Sequence, residues 1–119
     1  MINAERILQT LDRHLDHAVR LVIYGRAAIA LGFDDPPDTV KHSLDVDAII
    51  SCSQAPLLRA DIGFWDAQDA TNLELEKDGL YITHLFEADQ LFLRRDWEQH
   101  LLPVTRSPLR WLRLLIPAT

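Results

Sequence analysis

The segment at residues 42–50 constrains the fold more than any other part of the chain. Residues 46–50 are mostly apolar and rich in β-branched side chains, which predicts a short buried strand. Asp45 and Asp47 lie two residues apart at its start, and side chains two apart on a strand leave from the same face. Their Cβ atoms would be about 7 Å apart, and two carboxylates at that distance repel by about 2 kcal/mol at an effective dielectric of about 20. We therefore expect a positive group nearby, either a divalent cation or an arginine.

The composition is that of one globular domain. The chain has 119 residues, of which 48% are hydrophobic and 25% charged, enough for one core and too few for two. The net charge of −6 argues against a broad nucleic-acid surface, which would need clustered lysines and arginines. The single cysteine, Cys52, excludes an internal disulfide and any metal site built from cysteines alone.

The sequence also predicts a soluble, cytoplasmic protein with no membrane partner. Its first residues lack the basic start and apolar stretch of a signal peptide. No apolar run approaches the roughly 18 residues that a membrane-spanning helix needs.

Hydrophobic periodicity predicts alternating helices and strands. The expected helices cover residues 4–19 with Asn3 as N-cap, 27–31 ended by Gly32, 53–59 with Ser53 as N-cap, and 66–77 ended by Gly79. The expected strands cover residues 20–24, 46–50, 80–86, 100–105 and 109–116. This order predicts an α/β or α+β fold with a small mixed sheet, flanked by helices and ending in a C-terminal hairpin.

Three further predictions concern the arginines of the last strand and the histidines. Arg110 and Arg113 interrupt the last strand and suggest a sheet edge, which together with Trp111 could pair with another strand. His14 and His17 have metal-binding spacing but no evident carboxylate partner, so we place them on a solvated flank. His84 is a candidate base, although a hydrogen-bonded structural histidine is the commoner outcome.

Gly25 and Arg26 stand between the strand at 20–24 and the next helix. Glycine lets the backbone approach a ligand closely, and the free amides of a helix N-terminus favour phosphate. This junction is therefore either a phosphate site or simply a tight turn, since such junctions are common in α/β folds.

Together, residues 21–28 (LVIYGRAA) and 44–50 (LDVDAII) resemble the nucleotidyltransferase superfamily, especially its small branch of antitoxin-type and abortive-infection-type proteins. The shared pattern is an apolar strand, a glycine turn, a helix, and a strand that opens with Asp-x-Asp. The likeness covers roughly residues 4–90. It implies one nucleotidyltransferase-like domain, which would lack a C-terminal helical extension because the chain ends where a further helix is expected.

The resemblance also implies a chemistry. Asp45 and Asp47 would hold Mg²⁺ and with it a nucleoside triphosphate, while Gly25 and Arg26 would contact the phosphates. A third acid, Glu87 or Asp89 after the next strand, would help to activate a protein or RNA hydroxyl for attack on the α-phosphorus. His84 is the alternative for that role.

The sequence departs from the family pattern at two of these places. Arg26 stands where the family has a second glycine or a serine, and it could clamp a phosphate or pair with the aspartates in place of the metal. Residues 80–86 contain no carboxylate. Loss of the third acid would remove most catalysis and still allow nucleotide binding. The alternative function is therefore an inactive nucleotidyltransferase-fold binding module, such as a toxin–antitoxin component, with a protein partner or a second copy of the chain.

Overall fold

A computed structural model describes residues 2–32, 35–50, 53–87, 97–104 and 109–117. For residues 83–87 and 98 it describes the backbone alone. The helices are α1 Asn3–His14, α2 Gly25–Gly32, α3 Asp38–Lys41, α4 Ala55–Arg59 and α5 Ile62–Leu75, with 3₁₀ turns at Glu76–Asp78 and Trp97–His100. The strands are β1 Val19–Tyr24, β2 Asp45–Ile50, β3 Tyr81–Glu87, β4 Leu101–Pro103 and β5 Leu112–Pro117.

The five strands form one mixed sheet in the order β3-β2-β1-β5-β4. The central strand β1 is antiparallel to β2 and parallel to β5, while β3 is parallel to β2. The last two strands, β4 and β5, pair antiparallel, as the predicted hairpin requires. Residues 105–108, which would connect them, lie outside the described chain. The sheet and its helices confirm the predicted mixed α/β class.

One face of the sheet carries the core. Alternate residues of β1 and β2 point into it, and α1 and α5 cover it with side chains at helical spacing. Its fully buried members include Ile7, Leu11, Ile23, Val46, Phe64 and Ile82. Burial of these apolar side chains supplies most of the driving force for folding. The opposite face carries Asp45, Asp47, Tyr24 and Arg20, which alternate with the core residues.

The predicted boundaries of two helices are wrong. Helix α1 ends at His14 instead of residue 19, because Leu15 takes an extended backbone (φ −84°, ψ 153°) and turns its buried side chain into the core. Its N-cap is Ile2, not Asn3. Helix α5 already begins at Ile62, since the Asp61 side chain caps it by accepting a hydrogen bond from the Phe64 amide (3.0 Å).

Two other local predictions have opposite outcomes. Gln54 rather than Ser53 is the N-cap of α4. Gly79, by contrast, ends the turn after α5 as predicted, with a left-handed backbone (φ +71°) that glycine adopts without strain.

The edge position predicted for the last strand is also wrong. Strand β5 lies inside the sheet, between β1 and β4. Arg113 is exposed while Leu112 and Leu114 on either side of it are buried, so it marks the outer face of an interior strand. Trp111 precedes the strand, and Arg110 lies over its ring at 4.8 Å. Arg110 and Trp111 thus precede a strand that has a neighbour on each side in the described sheet, and their pairing with another chain stays a prediction.

His14 and His17 lie at the solvent-accessible surface, as predicted, but both have carboxylate partners, which the sequence did not reveal. His14 Nε2 lies 3.1 Å from Glu74 Oε1 on α5. His17 lies between Asp16 and Asp61, with each ring nitrogen 2.7 Å from a carboxylate oxygen. Asp61 and Glu74 lie more than 40 residues further along the chain, which is why local patterns did not reveal them.

Among the described residues, no helix is long and apolar enough to cross a membrane.

Candidate functional site

Asp45 and Asp47 open β2 on the same face of the sheet, as their spacing predicts. Both are half-buried, and Val46 between them is completely buried on the core side. The strand therefore holds two carboxylates at its start with the core directly behind them. This rigid backing fixes the positions from which the two side chains leave.

The Gly25 turn faces Asp47. Strand β1 ends at Tyr24, whose Cα is paired with that of Asp47, and α2 begins at the next residue. Gly25 has a left-handed backbone (φ +69°), which L-amino acids rarely adopt. A Cβ atom at this position would lie 3.9 Å from Oδ2 of Asp47. The structure thus brings together the glycine turn and one of the two predicted metal ligands.

Arg26 follows in the first turn of α2 and is exposed. The ion pairs between described residues include none from Arg26 to Asp45 or Asp47. These ion pairs therefore give no support to the alternative in which Arg26 pairs with the aspartates in place of the metal. Its position leaves it available to a ligand at the start of α2, where the first amides have no partner within the helix.

The strand register decides which residue of β3 lies beside the aspartates. Asp45 is paired with Tyr81, Asp47 with His84 and Ile50 with Glu87, with a register shift after Val46. Glu87 is therefore three residues further along the sheet than Asp47, or about 10 Å. Its side chain, like that of His84, lies outside the described part, and so does Asp89. A role for Glu87 as the third acid stays a prediction.

The two carboxylates fit a magnesium ion that takes its remaining ligands from a phosphate and from water. In the described part of the chain no group of three or more His, Cys, Asp or Glu side chains could hold a metal ion. Mg²⁺, however, commonly takes one or two carboxylates and completes its shell with phosphate oxygens and water. Asp45 and Asp47 supply those two carboxylates, and the missing Cβ of Gly25 leaves space beside one of them.

Two tyrosines that the sequence did not single out flank the carboxylates. Tyr24 neighbours Asp47 on one side, and Tyr81 neighbours Asp45 on the other. Tyr24 is half-buried and Tyr81 is 39% exposed. A signal for Tyr81 was present in the sequence, because it begins its strand as Asp45 begins the neighbouring one. The pairing of the two strands, however, was not known.

His17 forms a second charged cluster, away from these aspartates. Hydrogen bonds that the His17 ring donates to the carboxylates of Asp16 and then Asp61 raise the pKa of His17 above its ordinary value, more than partial burial lowers it. Burial raises the pKa of Asp61, but the hydrogen bonds from His17 and the Phe64 amide outweigh it and leave that pKa lowered. Since carboxylates lie against both ring nitrogens, His17 links the segment after α1 to Asp61, the N-cap of α5.

Comparison with known proteins gives no family: no family model, curated protein or solved structure matches this chain.

Proposed function

We propose that the protein is a nucleotidyltransferase that binds a nucleoside triphosphate with Mg²⁺ between the Gly25 turn and the start of β2. The observation that carries this proposal is the approach of Asp47 to the left-handed turn at Gly25. It is supported by the order of strand, glycine turn, helix and Asp-x-Asp strand, with β1, β2 and β3 adjacent in the sheet.

In this proposal each residue has a definite part. Asp45 and Asp47 hold the metal, which neutralises phosphate charge and orients the triphosphate when bound. The amides after Gly25 and the Arg26 guanidinium bind the phosphate oxygens. The acceptor hydroxyl, on a protein or an RNA, forms a bond to the α-phosphorus while the bond to the β-phosphate oxygen breaks. Pyrophosphate leaves, and the hydroxyl proton passes to a base or to water.

A second candidate is a binding module of the same fold that binds the nucleotide without transferring it, such as one component of a toxin–antitoxin pair. It is favoured by the residue paired with Asp47 on β3, which is His84 and not an acid. A histidine carries no negative charge, so it would bind Mg²⁺, which prefers oxygen ligands, more weakly than a third carboxylate would. In this case a protein partner or a second copy of the chain would bind the nucleotide-bound form of the protein.

The test compares the native protein with Asp47→Asn, and with Asp66→Asn as a control on the exposed side of α5. Melting temperature is measured with each of the four nucleoside triphosphates and Mg²⁺. A ligand at about 100 times its Kd stabilises by about 2.7 kcal/mol, which raises the melting temperature by several degrees. We expect this rise in the native protein and the control, and its loss in Asp47→Asn.

Incorporation of α-³²P-labelled nucleotide into protein or RNA then separates the two candidates. Magnesium-dependent labelling that Asp47→Asn abolishes supports transfer. Stabilisation without labelling supports the binding module. If none of the four triphosphates stabilises the native protein, the proposed function is wrong.

A further inference from the structure

An open groove with a volume of about 600 Å³ lies between the C-terminal half of α5 and the start of β3. Its apolar wall is formed by Leu73, Leu80 and Tyr81, and two acids, Asp69 and Glu76, border it. Leu73 is 74% exposed, which is unusual for a leucine beside a cavity of ligand size. The groove thus presents apolar surface that nothing in the described chain covers.

Tyr81 joins this groove to the candidate site. Its Cα is paired with that of Asp45 on the neighbouring strand, and its amide donates a hydrogen bond to the Leu44 carbonyl (3.0 Å). Side chains of paired residues on neighbouring strands leave from the same face of a sheet. The tyrosine therefore stands beside the first aspartate and also lines the groove.

The spacing of the strands matches the extended shape of a nucleotide. Gly25 lies at the end of β1, the aspartates on β2 and Tyr81 on β3, so the glycine turn and the tyrosine are separated by two strand spacings, or about 10 Å. Phosphates bound at the Gly25 turn would therefore lie next to the aspartates of β2. The groove begins at Tyr81 on β3, the next strand of the sheet.

We propose that Tyr81 and the groove beside it form the subsite for the nucleobase, an inference that rests on the proposed function. The base stacks on the Tyr81 ring and packs against Leu73, because stacking on an aromatic side chain suits any base. Asp69 and Glu76 can accept hydrogen bonds from the amino group of a base. The same two acids repel phosphates, which keeps the triphosphate at Gly25 and disfavours an RNA backbone in the groove.

The test measures two ligands in the presence of Mg²⁺ by calorimetry, the nucleoside triphosphate that stabilises the protein most and inorganic tripolyphosphate. Tyr81→Ala should weaken binding of the nucleotide at least about tenfold, which equals about 1.4 kcal/mol, and leave tripolyphosphate binding within about twofold. Tyr81→Phe keeps the ring and should bind the nucleotide almost as the native protein does.

Two leucine variants test whether a loss of binding comes from the groove or from impaired folding. Leu73→Ala should weaken nucleotide binding about threefold or more, whereas Leu57→Ala, at an equally exposed leucine (75%) on α4, should have no effect. Neither side chain is buried, so both variants should fold.

The possible failures are distinguishable. If Tyr81→Ala and Leu73→Ala bind the nucleotide as tightly as the native protein, the base subsite is wrong and the proposed function stands. Equal native affinity for nucleotide and tripolyphosphate also overturns the subsite. Binding of neither ligand by the native protein overturns both proposals.

Discussion

Asp12 of α1 and Leu112 of β5, one hundred positions apart in the sequence, are joined by a hydrogen bond of 2.9 Å from the Leu112 amide to Oδ1 of Asp12. The same carboxylate also accepts hydrogen bonds from the amides of Arg110 (2.9 Å) and Trp111 (2.7 Å). Burial raises the pKa of Asp12, but the three amides together outweigh it and lower the pKa below its ordinary value. One ionised side chain therefore anchors the first helix to the start of the last strand.

We expect Asp12→Ala to lower the free energy of unfolding by about 3 kcal/mol. The substitution leaves amides at the edge of the core without an acceptor, and hydrogen bonds to a charged group are the more costly ones to lose. Urea denaturation of the variant measures the loss, and Asp66→Ala, at an exposed aspartate, should change stability by no more than about 0.5 kcal/mol.

The acid limb of the stability curve provides a check on this prediction. Because the folded pKa of Asp12 is lowered, its contribution is present above the unfolded pKa of about 3.9 and is lost as the pH falls through the lower folded value. Asp12→Asn should remove this part of the acid sensitivity. An unchanged acid limb in that variant would contradict the anchoring role of the charge.

His17 should make stability depend on pH in the opposite direction. Its pKa is raised in the folded state by Asp16 and Asp61, so its contribution is complete below the unfolded pKa of about 6.5 and is lost as the pH rises through the folded value. Denaturation midpoints of the native protein between pH 5.5 and 9 should therefore fall toward high pH. His17→Gln, which cannot be charged, should show a flatter profile over this range.

A matched histidine serves as the control. His14 also lies beside a carboxylate, that of Glu74, but Arg13 pairs with the same acid at 2.8 Å. His14→Gln leaves the contacts of His17 with Asp16 and Asp61 in place, so it should keep the alkaline dependence that His17 produces. If His14→Gln flattens the profile and His17→Gln does not, the assignment to His17 is wrong.

Asn72 on α5 closes part of the outer edge of β3. Its Nδ2 donates to the Ile82 carbonyl (2.9 Å), and its Oδ1 accepts from the Ile82 amide (2.8 Å). Asn72→Leu should cost about 2 kcal/mol and leave two strand groups open to pairing with other molecules, which favours aggregation. Urea denaturation and light scattering at increasing protein concentration measure the two effects.

Asn72→Asp is the informative comparison because it keeps the acceptor and loses the donor. Its stability should lie between those of the native protein and Asn72→Leu. Equal stability of the leucine variant and the native protein would show that the edge of β3 does not depend on this amide.

Local patterns predicted the elements that carry the candidate site. The apolar runs gave β1 and β2, the Asp-x-Asp spacing placed Asp45 and Asp47 on one face, and glycines marked the ends of α2 and of the turn after α5. These features depend on neighbouring residues alone. They could therefore be read without knowing which elements pack together.

The contacts that were missed join distant parts of the chain. The contact of His17 with Asp61 before α5, and the amide hydrogen bonds that Asp12 accepts, depend on how α1 and the segment after it pack, which periodicity does not specify. The partner of Asp47 on β3 depends on a register shift after Val46, so His84 at that place was not predictable. Tyr81 beside Asp45 could be recognised only once the pairing of β2 with β3 was known. Arg113 was misread as an edge residue because an exposed side chain is equally compatible with one open face of an interior strand.

The two glycines with left-handed backbones provide a test that separates folding from function. Gly25 (φ +69°) and Gly79 (φ +71°) have nearly the same conformation, so Gly25→Ala and Gly79→Ala should each cost about 1 kcal/mol of stability from backbone strain. The Cβ at residue 79 would meet nothing within 4 Å, whereas the Cβ at residue 25 would stand 3.9 Å from Asp47 Oδ2. In the proposed site that space belongs to the ligand. Calorimetry with Mg²⁺ and a nucleoside triphosphate should therefore show weaker binding in Gly25→Ala and native affinity in Gly79→Ala, and equal affinities in the two variants would mean that the ligand does not approach the turn.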